Sequence, residues 1–443
     1  MSETVSYKEQ SFLAELLKGN QAPVNESDFL NTIRSKAIEQ VNTLAFPTAR
    51  TEEWKQFPLK SLTRNSYIAS KDQQVDDQDV SGTYFSESEK SRIILVNGVF
   101  HAKESDVSGL SEGIYAGPIS AMPAEIAQKV ESQFGSIARY DQDAFTPFNT
   151  ASFKDAVVVY VPKELKEERP LHIVHVTAGD SVFTSPRTFI YAERHSEITI
   201  VEDYIGIGEI SYFNTAVTET FLGDESHVTH VKLQRESKKA IHISRIAALL
   251  GRGSNYNSYA VSIGALLFRN EPLALVDAEN AHATLDGLVM ISGDQVSDTH
   301  STLDHLKPNC TSHQLHKVVA HGNAKSVFNG KIFVRKDSQL IDAFQENRNL
   351  LLSPDATVFT KPQLEIFADD VKCSHGATIG QLSEEELFYL MSRGLSQAQS
   401  TQLLTYGFAL EVIENLPIES LRDQLSKEVD RLTTNTSLVK ETA

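Results

Sequence analysis

Two cysteines in 443 residues leave nothing from which to build a disulfide framework, and they fit a reducing compartment. A basic excess is also missing. The formal net charge of −18 offers no surplus of cations to neutralise phosphates, so nucleic acid is excluded as a partner. The same charge repels an anionic membrane surface. Long apolar runs are absent too; residues 246–250, IAALL, form one of the longest and fall far short of the roughly 20 needed to span a bilayer. The opening MSETVSYKEQ lacks a basic segment followed by an apolar one, so it does not read as a secretory leader. Cytoplasm is the expected location.

Several catalytic signatures are missing as well. No GxxxxGK[ST], GxSxG, HExxH or CxxC occurs. The chain is therefore expected to bind no nucleotide through a P-loop and to hold no self-contained zinc or iron–sulfur site of the usual spacing.

What is present begins with an ordinary globular composition, 40% hydrophobic and 23% charged, long enough for two or three domains. Residues 1–150 read as a mostly helical unit. Phe12, Leu13, Leu16 and Leu17 recur at helical spacing, as do Ile33, Ala37 and Val41, and Phe46-Pro47 ends the second helix. Residues 71–90 are polar and acidic and read as a connector. A short strand at 93–96 precedes the turn Asn97-Gly98.

From about residue 151 to 380 the pattern is all strand. VVVYV, LHIVHV, TFIYA and EITIV are short, rich in β-branched residues and separated by Gly, Asn, Asp and Ser. NAHATLDGLVMI (280–291) and NAKSVFNGKIFV (323–334) align without a gap at an offset of 43, and a weaker copy begins at Asp355. Self-similarity in an all-strand region points to stacked coils, each covering its neighbour's apolar face. The expected architecture is a parallel β-helix in which the offset spans about two coils; a β-sandwich is the competing reading. Residues 381–443 turn helical again. Ser383 with Glu386 reads as a capping box, and Gly394 as a stop. Leu404, Phe408 and Val412 form one stripe, and Leu421, Leu425, Val429 and Leu432 another. An apolar stripe left over after docking would be a partner surface.

The chemistry concentrates in KPQLEIFADDVKCSHGATIGQL, residues 361–382. Cys373 and His375, two apart on an extended strand, share one face. A thiolate and an imidazole are soft ligands for iron, zinc or copper(I), and equally a nucleophile beside a base. Two ligands do not complete a metal site. His282, His300, His305, His313, His316 and His321 form a histidine-rich stretch, each more simply read as a structural hydrogen-bonding group. Cys310 reads as a buried, inert thiol.

At this point the strings THSTLDHLKPNCTS, VFNGKIFVRKDSQ, ENRNLLLSPDA, the Cys373 segment and ELFYLMSRG together resemble the SufB/SufD family of iron–sulfur cluster assembly scaffolds. PTARTEEWKQFPLKSL, around Trp54, resembles it too. The KCSHG form is similar to the SufD-type members, and the glutamate–histidine–glutamate segment of SufB-type members is not present. The resemblance implies a right-handed parallel β-helix flanked by N-terminal and C-terminal α-helical domains. It implies a heterodimer with a SufB-like subunit, or a homodimer when alone, and a SufC-like ATPase docked on the C-terminal helices. It implies a transient iron–sulfur cluster shared with the partner subunit, with His375 and Cys373 as the cluster-binding and metal-ligating positions. By the same resemblance this chain is a non-catalytic scaffold within an ATPase-coupled SUF complex, and the group that receives persulfide sulfur lies on the partner. The rival from a different class is a β-helix carbohydrate-active or polysaccharide-binding protein using Asp294, Asp298, Asp304 and Arg335. A purely structural scaffold with an inert Cys373 is the other.

Overall fold

The structure, a computed structural model, describes residues 11–20, 27–139 and 143–435. The ten residues on which the leader reading rests lie outside them. Strands from Val157 to Gly380 alternate between two sheets, and consecutive members of each sheet pair in parallel. This is a β-solenoid of about 8 turns between helical ends, as expected. Inward positions carry the apolar core, with Ile173, Ile198, Val228, Leu250, Val276, Leu303 and Ile341 stacking from coil to coil. A sandwich would need antiparallel sheets; parallel pairing excludes it.

The register corrects the expected period. Val296 pairs with Lys325, and paired rungs such as Ser297 and Ser326 lie 29 residues apart. An offset of 43 is therefore about one and a half coils, not two, and the two copies lie on opposite sheets: His282–Ile291 on one, Lys325–Val334 on the other. What they share is a glycine that clears space for an inward polar side chain. A Cβ on Gly287 would sit 2.8 Å from His316 Nδ1, and one on Gly330 would collide with the Gln345 amide and the Phe328 ring.

The helical N-terminal residues do not end where the solenoid begins. Arg92–Val96 pairs with Leu171–Thr177, and Tyr115–Pro118 with Val157–Val161, so a division at 150 runs through both sheets. Asn97 and Gly98 both take positive φ (53° and 76°) in the tight turn after Arg92–Val96, which asparagine tolerates and glycine, lacking a Cβ, adopts freely. The stretch expected as a connector holds the short helix Asp77–Val80 and two 3-10 turns.

Residues 52–56 form a strap across the outer face of four coils. Trp54 is buried in an aromatic cluster with Phe57 and Phe145, and the Arg269 guanidinium lies over its ring, 3.9 Å from the centroid. Glu53 meets His300 at 3.1 Å, Asn329 at 3.1 Å and Lys331 at 2.7 Å; Gln56 accepts from Lys325, and Glu52 from Lys361 on the last coil.

The C-terminal helices Gln397–Ile413 and Glu419–Asn435 dock on the outer face of the second sheet. Ala409, Val412, Ile413, Leu421, Leu425 and Val429 pack against Val231, Leu233, Val261, Leu288 and Leu315. Lys317 clamps this joint through Glu411 and the Phe408 carbonyl. Ser383 accepts from Glu386 N, which caps Glu384–Ser392, but the reciprocal capping box stands at Ser396 and Gln399. Gly394 ends the first helix at φ 98°. That first helix buries none of its residues, and Phe388, Tyr389 and Met391 face outward.

The strap gives a pH signature. Hydrogen bonding from His300, then from Lys331, holds Glu53 down at about 2 from 4.5, against the opposing effect of burial. A depressed carboxylate stabilises the fold above about 4.5 and loses that contribution as pH falls towards about 2. Burial pulls His300 down, but Asp298 and Glu53 outweigh it and raise it above 6.5; its contribution is present below that value and lost as pH climbs through the folded one. Glu53→Gln should therefore flatten both limbs in urea unfolding across pH. An unchanged acid limb would show that the strap contributes nothing through this charge.

Candidate functional site: the terminal coil

Each sheet ends in a ten-residue strand, Thr357–Ile366 on one and Val371–Gly380 on the other. Among the described residues each has a single hydrogen-bonded neighbour, which leaves the backbone donors and acceptors of its second edge unpaired there. Natural edge strands are normally short, bulged or covered. These are long and continuous in register, and Phe359, Ile366, Phe367 and Ile379 lie exposed on or beside them. An edge of this kind beside exposed apolar side chains is a candidate surface for pairing with another chain.

Cys373 and His375 stand on the last strand. Val371 and Cys373 pack against the inward core, so alternation puts His375 on the same inward side, as expected. The structure thus brings both donors to the open end of the solenoid, Cys373 half-buried and His375 exposed. Burial, then the Asp342 carboxylate, pushes the Cys373 thiol up. It is thus kept protonated at neutral pH. Among the described residues no three His, Cys, Asp or Glu side chains converge on a point where a metal ion could sit. One chain brings two soft donors to this end.

Most of the other histidines of that stretch are engaged; the exception is His316, whose Nε2 has no hydrogen-bond partner. His282 lies between Thr311 and Thr284, and His305 bonds Ser312. His313 meets Asp286 and stacks on Phe344. His316 is buried inside the solenoid, where burial pulls it down to about 4. Cys310 is buried with its Sγ 3.1 Å from the Ala278 carbonyl, and burial raises its thiol. Two of the carboxylates offered for glycoside chemistry, Asp298 and Asp304, do not pair. Asp298 and Asp304 lie six residues apart on one strand, roughly 20 Å, whereas such chemistry needs about 5–9.5 Å. Asp298 is held by Arg269, Asp304 by Arg335.

Sequence reasoning missed the polar interior of the middle coils. Glu202 is fully buried and accepts from Thr188, Thr218, His175 and His230. Burial opposes its charge, but the two imidazoles outweigh it and hold the carboxyl well below its usual range. Lys232 is also buried, bonded to Ser244, His242 and Asn270, and desolvation lowers it to about 8. The signal was present as Glu, His and Lys at inward positions of strands that also carry inward apolar residues such as Ile198, Ile200 and Val228.

With two cysteines in the chain, thiol labelling isolates the site. Cys373 should react with iodoacetamide well before Cys310, with a rate that climbs to a midpoint above 9.0, the ordinary value. A midpoint below 8 would mean a pre-activated thiolate, contrary to this electrostatic setting.

Two family models match the sequence. The one described as "SUF system FeS cluster assembly, SufBD core domain" covers residues 175–408, and "SufBD protein N-terminal region" covers residues 7–173. An "Iron-sulfur cluster assembly SufBD family protein" of Synechocystis sp. is 34% identical over 90% of each chain. "Protein ABCI7, chloroplastic" of Arabidopsis thaliana is 32% identical over 95% of this chain and 90% of its own length. "Iron-sulfur cluster assembly protein SufD" of Escherichia coli (strain K12) is 30% identical over 88% and 89%.

Proposed function

The chain belongs to the SufBD family of iron–sulfur cluster assembly proteins, and from that premise we propose that it is a SufD-type, non-catalytic scaffold subunit of a cytoplasmic SUF complex. A SufB-like partner pairs with the open edges of the terminal coil, and in its absence a second copy of this chain takes the same edges. A SufC-like ATPase docks on the C-terminal helices. Cys373 and His375 then lend two donors to a nascent cluster whose remaining donors come from the partner.

One observation carries this reading: the two soft donors share the inward face of the strand that ends its sheet. Cluster iron is normally held by four protein ligands. Two donors beside an uncovered edge are half of such a set, and pairing of the edge by another chain brings the other half within reach. The edge supplies affinity through main-chain hydrogen bonds, and the exposed Phe367, Ile366 and Ile379 add apolar area to it. Exposed Phe388, Tyr389 and Met391 give the ATPase an apolar grip.

The chemistry asked of this chain is modest. Its thiol must lose a proton and its imidazole must offer a lone pair when iron arrives. A thiol held up by burial resists oxidation beforehand, and the approaching cation reverses that bias. Nucleotide-driven dimerisation of the ATPase would pull on the helices at Glu411, whose bonds to Lys317 and Arg348 reach the outer face of the second sheet. That pull would shift the paired coils and admit iron and sulfide.

His375→Ala should leave assembly of the three-component complex intact while lowering anaerobic cluster formation at least about tenfold. Co-purification with iron and sulfide analysis checks it. Undiminished cluster content would remove His375 from the site.

A further inference from the structure

His375 has a partner waiting one rung below it. In the parallel register Gln345 pairs with His375, so the two side chains stand on the same inward face about 4.8 Å apart along the sheet. Gln345 is fully buried, yet neither its Oε1 nor its Nε2 makes a hydrogen bond within the chain. Buried amides are almost always satisfied, since an unmet one costs about 1–3 kcal/mol. A leucine or methionine would fill the same volume without that penalty.

The amide has, moreover, a place made for it. Gly330, across the interior on the other sheet, lies so close that any Cβ there would collide with Gln345 Nε2. The glycine shared by the two internal repeats thus clears the niche in which this amide rests. Below it, Gln314 uses its Oε1 to accept from Ser301 Oγ at 2.7 Å. The inward column Gln314, Gln345, His375 is therefore polar up to the open end.

We infer that Gln345 is a positioning residue for His375: its Oε1 accepts the ring N–H and leaves the other ring nitrogen's lone pair free for the soft metal ion. A ligating imidazole nearly always donates its second nitrogen in this manner, which fixes the tautomer and the ring plane. The exposed His375 ring reaches the unpaired Gln345 amide by a side-chain rotation, so the bond is available in the free chain as well as when the ring is held. This rests on the reading of His375 as a cluster ligand for its purpose, but not for its geometry.

The test separates the two. In the full chain carrying ¹⁵N-labelled histidine, the His375 signals are identified by their loss in His375→Asn. At about pH 9, above the ordinary imidazole range, the ratio of the two neutral tautomers is read from the ring nitrogen shifts. Gln345→Met, close in size and without a hydrogen-bonding amide, should change that ratio about three- to tenfold, the effect of one net hydrogen bond. Gln345→Glu, which still accepts, should preserve the wild-type ratio. Gly330→Ala, which displaces the amide, gives an independent variant should Gln345→Met not fold. In the assembled complex Gln345→Met should also slow cluster formation about tenfold. An unmoved tautomer ratio in both Gln345→Met and Gly330→Ala overturns the inference. A moved ratio together with full cluster formation in His375→Ala would sink the ligand reading and leave the hydrogen bond standing.

Discussion

Backbone hydrogen bonding along a parallel sheet cannot stop without leaving an edge. Coil by coil, each strand of the solenoid satisfies the one before it, and the inward apolar side chains stack in the same order. At the other end the chain meets this constraint with the antiparallel strands Tyr115–Pro118 and Val99–Phe100, which finish the two sheets. At the Gly380 end the strands stay long and regular, nothing among the described residues pairs with their outer edges, and several apolar side chains around them are exposed. The incomplete donor pair and the incomplete sheet coincide there, and in the function proposed above both are completed by the same event.

The remainder of the molecule holds that end in shape. The strap at Glu52–Gln56 bonds outer-face residues on successive strands of the first sheet, reaching Lys361 on its last strand. The C-terminal helices grip the second sheet through a continuous apolar contact and the Lys317–Glu411 pair. Both sheets are thus braced from outside near the open end. The polar interior around Glu202 and Lys232 adds directional hydrogen bonds that fix register in the middle coils, where an apolar core alone would tolerate slippage.

Much of this was legible in residue order. Alternating β-branched strands without intervening helical periods gave the solenoid, and alternation alone placed Cys373 and His375 on one face. The period was misjudged because the repeat preserves an interior requirement, a glycine opposite a polar side chain, that both sheets share; sequence similarity cannot tell a half coil from a whole one. The N-terminal boundary was harder to read for a related reason. Arg92–Val96 and Tyr115–Pro118 read as isolated strands, and only long-range pairing reveals that they belong to the solenoid. Gln345 was invisible, since a glutamine on a strand signals nothing until the register sets it under His375 and its amide is found without a partner.

Amide hydrogen exchange across the terminal coil tests the central claim most directly, comparing the isolated chain at concentrations too dilute for self-pairing with the chain in its assembled complex. Strands Thr357–Ile366 and Val371–Gly380 should exchange quickly when alone and become strongly protected on assembly, while the coils around Glu202 change little. Protection appearing elsewhere on the molecule, with the terminal strands exchanging as before, would contradict the account.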